Sequence, residues 1–188
     1  MSNYFSHFPS VSYDISKTSD FHSVVDILRR FTITSTLSKR ASVYYDYTIR
    51  DGDRPDTIAH KYYGDSKYDW VVLVTNTIVD PNYDWPLTHA NFKSFINDKY
   101  GSMSAAQQTT HHYEQIIRQE STSAFGVHLP EITISVDVTT YNTLSTADRK
   151  LVDVYTYEQE LNETKRTIRI LDKKHLGTLL TQAERIFN

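Results

Sequence analysis

The chain of 188 residues contains no cysteine, so disulfides and thiolate metal sites are excluded. That fits a protein made and kept in a reducing cytosol. Glycine and proline are scarce, five each. The glycines are too few and too spread for a phosphate-cradling loop. Charge of one sign is not in excess: 20 Lys+Arg stand against 23 Asp+Glu, a net charge of −3. Such a balance gives no electrostatic case for nucleic acid or an anionic membrane. No apolar run approaches the ~18 residues of a membrane-spanning helix. The opening residues, MSNYFSHFPSVSYD, lack a basic stretch followed by an apolar one, so a signal peptide is not expected.

Catalytic and metal-binding patterns are missing in the same way. No GxSxG frame surrounds a serine. His111 and His112 are adjacent, and neighbours in a regular strand point to opposite faces, so one metal is not expected to take both. Asp51, Asp53, Asp56 and Asp65 lack the order and the terminal Glu of a calcium loop, and read as turn and cap residues. We therefore expect no enzyme, no cofactor and no metal.

Aromatic side chains are abundant: 14 Tyr, 8 Phe and 2 Trp, 13% of the chain. Tyrosine combines a rigid apolar face with a polar tip. It suits strands, and it suits surfaces that become buried against a partner.

Residues 1–20 show neither helical nor strand periodicity. The scattered Tyr4, Phe5, Phe8 and Tyr13 suggest an extended arm that orders only on a partner, with these four as interface anchors. Asp20 could cap a short helix carrying Phe21, Val24, Val25, Ile27, Leu28 and Phe31, with Arg29 and Arg30 in its last turn. A Ser/Thr-rich connector, Thr32 to Ser42, follows. Tyr45, Tyr47 and Ile49 then alternate with polar residues, as in a half-buried strand. Asp51-Gly52 turns the chain, and Pro55 suits a first helical position ahead of Ile58, Ala59 and Tyr62. Gly64 should stop that helix in a left-handed cap. Asp65 or Ser66 starts a second helix with Trp70, Leu73 and Val74 inward, and Asn76 ends it. Trp85-Pro86-Leu87 would be a short closing strand.

Thr88 caps a third helix with Phe92, Phe95, Ile96 and Tyr100, which Gly101 ends. Ser102 to Thr110 reads as loop. His112–Arg118 and Ile132–Val138 read as a long hairpin. The stretch around Tyr155 to Thr164 is helical or extended. Arg166–Leu171 reads as a strand. A final amphipathic helix places Leu176, Leu179, Leu180, Ala183, Ile186 and Phe187 on one stripe.

The continuous segment YTIRDGDRPDTIAHKYYGDSKYDWVVLVTNTIVDP, Tyr47 to Pro81, resembles a LysM module in its order of strand, Gly turn, helix, Gly stop and helix. With the aromatic arm FSHFPSVSYD and the later block VDVYTYEQELNETKRTIRIL, the chain resembles the LysM-bearing baseplate wedge subunit of T-even-type contractile phages, the wedge protein fifty-three family. Residues 102–142 are where the likeness lapses. The expected fold class is α+β: a small LysM-like βααβ unit embedded in an extended chain, with a β-hairpin and a C-terminal amphipathic helix. Expected divisions are residues 1–43 (arm and short helix), 44–87 (LysM-like), 88–142 (helix and variable hairpin) and 143–188 (strand and helix for assembly).

The resemblance implies a structural virion protein, assembled in the host cytoplasm. In that family about six copies per baseplate hold neighbouring wedges together around a central hub, and the partners are other wedge subunits. LysM modules of cell-wall proteins bind N-acetylglucosamine chains between two loops. Carried onto this chain, the groove is Gly52, Asp53, Arg54, Pro55 and Asp56 facing Ile78, Val79, Asp80 and Pro81. Its first loop is charged where sugar-binding versions favour Thr or small residues. A protein-binding groove is thus the first expectation, and a peptidoglycan-binding module accompanying a lytic enzyme is the alternative.

Overall fold

The computed structural model describes residues 4–28 and 41–187. Its fold is α+β. Two units emerge: Met1–Pro86 together with Lys165–Asn188, and Leu87–Thr164.

The first unit begins with a single 3-10 turn, Tyr4–His7, and an antiparallel pair, β1 (Ser10–Tyr13) and β2 (His22–Val25). Asp14 organises the loop between them. Its carboxylate accepts the backbone N–H groups of Ser16, Thr18 and Ser19. A strand therefore stands where a helix was expected after Asp20. Val24 and Val25 are β-branched, which favours the pleat, and Val24 lies directly opposite Val11. Arg29, Arg30 and Phe31 of that expected helix, and the connector up to Arg40, lie outside the described residues.

Next come β3 (Tyr44–Thr48), α1 (Pro55–Tyr63), a 3-10 turn Ser66–Tyr68, α2 (Asp69–Thr75) and the short α3 (Pro81–Asp84). The local chemistry is as the residues dictate. Thr57 Oγ1 accepts the Arg54 N–H at 2.9 Å, and Pro55 opens α1. Gly64 ends it at φ 89, the left-handed backbone expected there, and its N–H donates to the His60 carbonyl. Asp65 accepts the Lys67 N–H and starts the next turn. Helix α2 is apolar all round. Trp70, Val71 and Val72 are buried, while Leu73 and Val74 are only half-buried.

The second unit follows. Thr88 caps α4 (His89–Tyr100), and Gly101 ends it at φ 82. A short α5 (Met103–Gln108) occupies the expected loop, because Ser102 caps it through the Ala105 N–H and Ala106 fills the core beside Phe92, Ile96 and Val154. Then come β4 (Thr110–Arg118), β5 (Ser121–Thr122), β6 (His128–Leu129), β7 (Ile132–Val136), α6 (Val138–Thr143), β8 (Arg149–Asp153) and α7 (Val154–Thr164). The expected hairpin is present as β4 against β7. It gains a third antiparallel strand, in the order β7-β4-β8. β7 stops at Val136 because Asp137 turns to cap α6. Its carboxylate accepts from the Thr140 hydroxyl and from the Thr140 and Thr139 N–H groups, which hold its pKa down at about 2.

Helix α7 buries Glu158 and Asn162 along with Val154. Glu158 accepts from Lys99 Nζ at 2.7 Å and from the Tyr100 hydroxyl at 2.6 Å. Burial pushes its pKa up, but these two donors outweigh burial and leave it below the ordinary 4.5. A depressed carboxylate stabilises the fold above its unfolded pKa, and that contribution is lost as pH falls through the folded value. The thermal midpoint of this unit is thus expected to drop on acidification below about pH 4.5. Glu158→Gln should flatten that acid limb and lower the neutral-pH stability by about 1.5–3 kcal/mol. Calorimetry across pH 3–7 checks both, and an unchanged acid limb in the variant would contradict the pairing.

The chain then returns to complete the first unit. β9 (Thr167–Leu171) pairs antiparallel with β3, Tyr44 opposite Leu171 and Thr48 opposite Thr167. Trp85-Pro86-Leu87 is not a strand. The closing strand comes instead from the far side of residues 87–164. Ile168, Ile170 and Leu171 enter the core with Val43, Ile58, Tyr63 and Val71. The last helix, α8 (Lys173–Phe187), adds Leu176, Leu179 and Ala183 to it, with Leu180 packed alongside. Side chains of Ile186 and Phe187 lie outside the described set.

Asn76 locks this arrangement. Its amide donates to the carbonyls of Val72 and Arg169, both at 2.8 Å, and its oxygen accepts the Arg169 N–H at 2.7 Å. Asn76→Asp is expected to cost about 2–4 kcal/mol, because it sets a carboxylate against two carbonyl oxygens. Denaturant unfolding of the purified variant measures it, and a loss under about 1 kcal/mol would show the three bonds to be inconsequential.

Candidate interaction site

The two loops of the expected groove are both held by their own chain. In the first, Gly52 takes φ 84, and the Asp53 carboxylate accepts the Arg50 N–H at 3.0 Å and the Tyr47 hydroxyl at 2.8 Å. Asp53 thus fastens the turn. Arg54 and Asp56 pair at 3.3 Å on the surface, where such pairs contribute little. Pro55 is the first residue of α1.

In the second loop, α2 ends in a two-bond cap. The Ile78 N–H reaches the Leu73 carbonyl and the Thr77 N–H reaches the Val74 carbonyl. That motif needs a left-handed residue, and the chain places Thr77 there at φ 57. A β-branched residue in this region is strained by roughly 1–3 kcal/mol. Thr77→Gly is expected to raise stability by about 1 kcal/mol after glycine's entropy is counted. A thermal melt checks this; no rise would mean that the strain is absent. Val79 is exposed, Asp80 caps α3 through the Asn82 N–H, and Pro81 opens that helix. Asp84 accepts the N–H groups of both Val79 and Asp80 at 3.1 Å.

One residue outside the expected set is tied to the first loop. Trp85, buried, donates its indole N–H to the Asp53 carbonyl at 2.9 Å.

The four arm aromatics separate. Tyr4, Phe5 and Phe8 cluster with ring centroids 4.8–5.7 Å apart, and Tyr4 lies 5.6 Å from Trp70. Phe8 is a core residue, 6% exposed, and the turn that carries Tyr4 and Phe5 also touches α8. The arm is expected to order only on assembly, but Tyr4, Phe5 and Phe8 are seated on the first unit. Tyr13, 58% exposed on β1, stands apart with Val11, Ile15, Phe21 and Ile27, all exposed. Phe125 projects at the tip of the long hairpin, 95% exposed.

His111 and His112 depart from the regular-strand expectation. The register of β4 shifts between Thr110 and His112, and the two Nδ1 atoms come within 2.8 Å, with His111 stacked on Tyr157. Among the described residues, no group of three or more His, Cys, Asp or Glu could hold a metal ion. Nor is any helix among them long and apolar enough to cross a membrane.

Polar side chains spent on turns and caps, beside exposed aromatics on strands and hairpins, define a protein that works through contacts. A family model described as Base plate wedge protein 53 matches residues 4–120, well over half of the chain. The chain belongs to that family, and its role is structural, in the phage tail base plate. Among curated proteins, none matches it.

Proposed function

We propose that the chain is a subunit that holds neighbouring base plate wedges together around a central hub through protein–protein contacts. The observation that carries this reading is the family match over residues 4–120. On this reading the subunit is assembled in the host cytoplasm, about six copies enter each contractile-tail base plate, and the partners are other wedge subunits. The surface supports it. An isolated two-stranded hairpin is marginal in water, and β1 with β2 carries exposed Tyr13, Ile15 and Phe21 at its strands and loop. Such aromatics are common anchors of protein interfaces. Phe5 and Tyr13 are the two anchors of the arm left accessible.

On this reading β3, α1, α2 and β9 make up the LysM-like βααβ unit, with β9 in the place of the expected Trp85-Pro86-Leu87 strand. The alternative reading, binding of N-acetylglucosamine chains, is disfavoured by the commitment of Asp53, Asp80 and Asp84 to backbone partners. A triple variant, Tyr13→Ser with Ile15→Ser and Phe21→Ser, tests the contact role. It should keep the wild-type melting curve and be lost from purified base plates. Full incorporation would count against the hairpin as an interface. Low-micromolar binding of chitin oligomers to the wild-type chain would favour the alternative.

A further inference from the structure

A groove of about 420 Å³ lies within the first unit, between the first turn of the arm and α2. Helix α2 supplies Trp70, Leu73 and Val74, the arm supplies Phe5, and the second loop supplies Val79. It shares Ile78, Val79 and Pro81 with the second loop, while none of its lining comes from residues 52–56. Phe5 is 51% exposed and Val79 63%, so two large apolar side chains face water beside a largely apolar channel.

Asp69 marks one part of this groove and also lines an adjoining depression that contains Asp56 and Lys67. Lys67 is held by Asp65 at 2.7 Å, and Asp56 faces Arg54. Asp69 itself accepts the Trp70 N–H at 2.7 Å, and no described cation pairs with it. Burial, and more weakly the nearby Asp56, push its pKa up, while the Trp70 N–H pulls it down. A half-buried carboxylate without a counter-charge is relieved by a cation that arrives with a partner. The strained Thr77 also lines the groove, and backbone strain of this kind gathers at ligand clamps.

We infer that this groove docks a segment of another base plate protein, one that presents a bulky apolar side chain to Phe5, Leu73 and Val79 and a lysine or arginine to Asp69. The inference rests on the structural role proposed above. Charge chooses the occupant: the apolar lining calls for an apolar side chain, and Asp69 calls for a cation within a few residues of it. A saccharide would need several convergent polar groups, whereas the described lining is mostly apolar, its polar groups being Asp69, Thr77, the Tyr4 hydroxyl and the Trp70 indole.

The test places a photo-cross-linking amino acid at Val79 of the full chain during particle assembly. Purified base plates are irradiated, and the product is sequenced by mass spectrometry. The expected product joins Val79's position to an apolar stretch of a different protein, with Lys or Arg within about four residues, one helical turn or less. Asp69→Lys should lower its yield about tenfold, and Asp69→Glu should preserve it. If Asp69→Lys melts early, Asp69→Asn takes its place. A cross-link to a second copy of this chain or to a saccharide overturns the inference, as does a yield indifferent to Asp69. Plates that contain the chain but give no cross-link overturn the groove alone. Plates that lack the chain overturn the structural reading as well.

Discussion

A chain that ends at Thr164 is expected to lose the fold of the first unit entirely. Among the described residues β9 is the sole strand partner of β3, and with α8 it brings Ile168, Ile170, Leu171, Leu176 and Leu179 into the core. Each such side chain contributes about 1.5–3 kcal/mol on burial, so their joint removal takes about 10 kcal/mol. That is comparable to the whole stability of an ordinary domain, about 5–15 kcal/mol. A fragment of residues 44–87 should be unfolded for the same reason. The second unit keeps its three strands and its Phe92–Ile96–Val154 core in the truncated chain, so its amide resonances should stay dispersed. Native-like dispersion for residues 44–86 of the truncated chain would show that β9 is dispensable.

Trp70→Ala carries the next largest effect. Trp70 is 5% exposed and lies among Tyr4, Phe8 and the buried valines of α2. Truncating a buried Trp typically costs about 3–5 kcal/mol, through lost transfer energy and the cavity left behind. Here the loss has a second address. The ring is the surface on which Tyr4 rests, so hydrogen exchange in residues 4–8 should accelerate beyond the global change. Trp70→Phe should recover most of both effects, and Phe5→Ala, at a half-exposed position, should cost under about 1 kcal/mol. Chemical denaturation and site-resolved exchange measure them. A Trp70→Ala chain that unfolds as late as wild type would remove this residue from the core.

What the sequence shows well is set by neighbours in the chain. The Pro55 start, the Gly64 stop, the Asp65 and Thr88 caps and the Gly101 end depend on hydrogen bonds a few residues away. The strand at Thr167–Leu171 is also readable from its alternation. Its partner is not, because nothing in residues 44–87 records that the closing strand lies beyond a second unit; a Trp-Pro-Leu run merely looks extended. The helix expected after Asp20 fails for a related reason. Val24, Val25, Ile27 and Leu28 fit either period, and the pairing with β1 decides. The Asp51-Gly52 turn and the Pro55 helix start are local as well, but the bond from the Trp85 indole to the Asp53 carbonyl is visible only in three dimensions. The meeting of His111 with His112 requires the register shift in β4, which residue order does not encode.

Asn76 has a consequence for how this protein can live at high local concentration. Strand edges invite edge-to-edge growth into fibres, and natural proteins blunt them. By taking both the N–H and the C=O of Arg169, one amide side chain acts as a one-residue strand and seals β9 at its midpoint. Asn162 satisfies the non-strand backbone at Leu87 in the same way, accepting its N–H at 2.7 Å and donating to its carbonyl at 3.2 Å. Unpaired backbone is thus answered locally, by two asparagines, rather than by whichever neighbouring chain arrives first. On the structural reading proposed above, that restraint closes the midpoint of β9 to edge-to-edge pairing and leaves association to side chains.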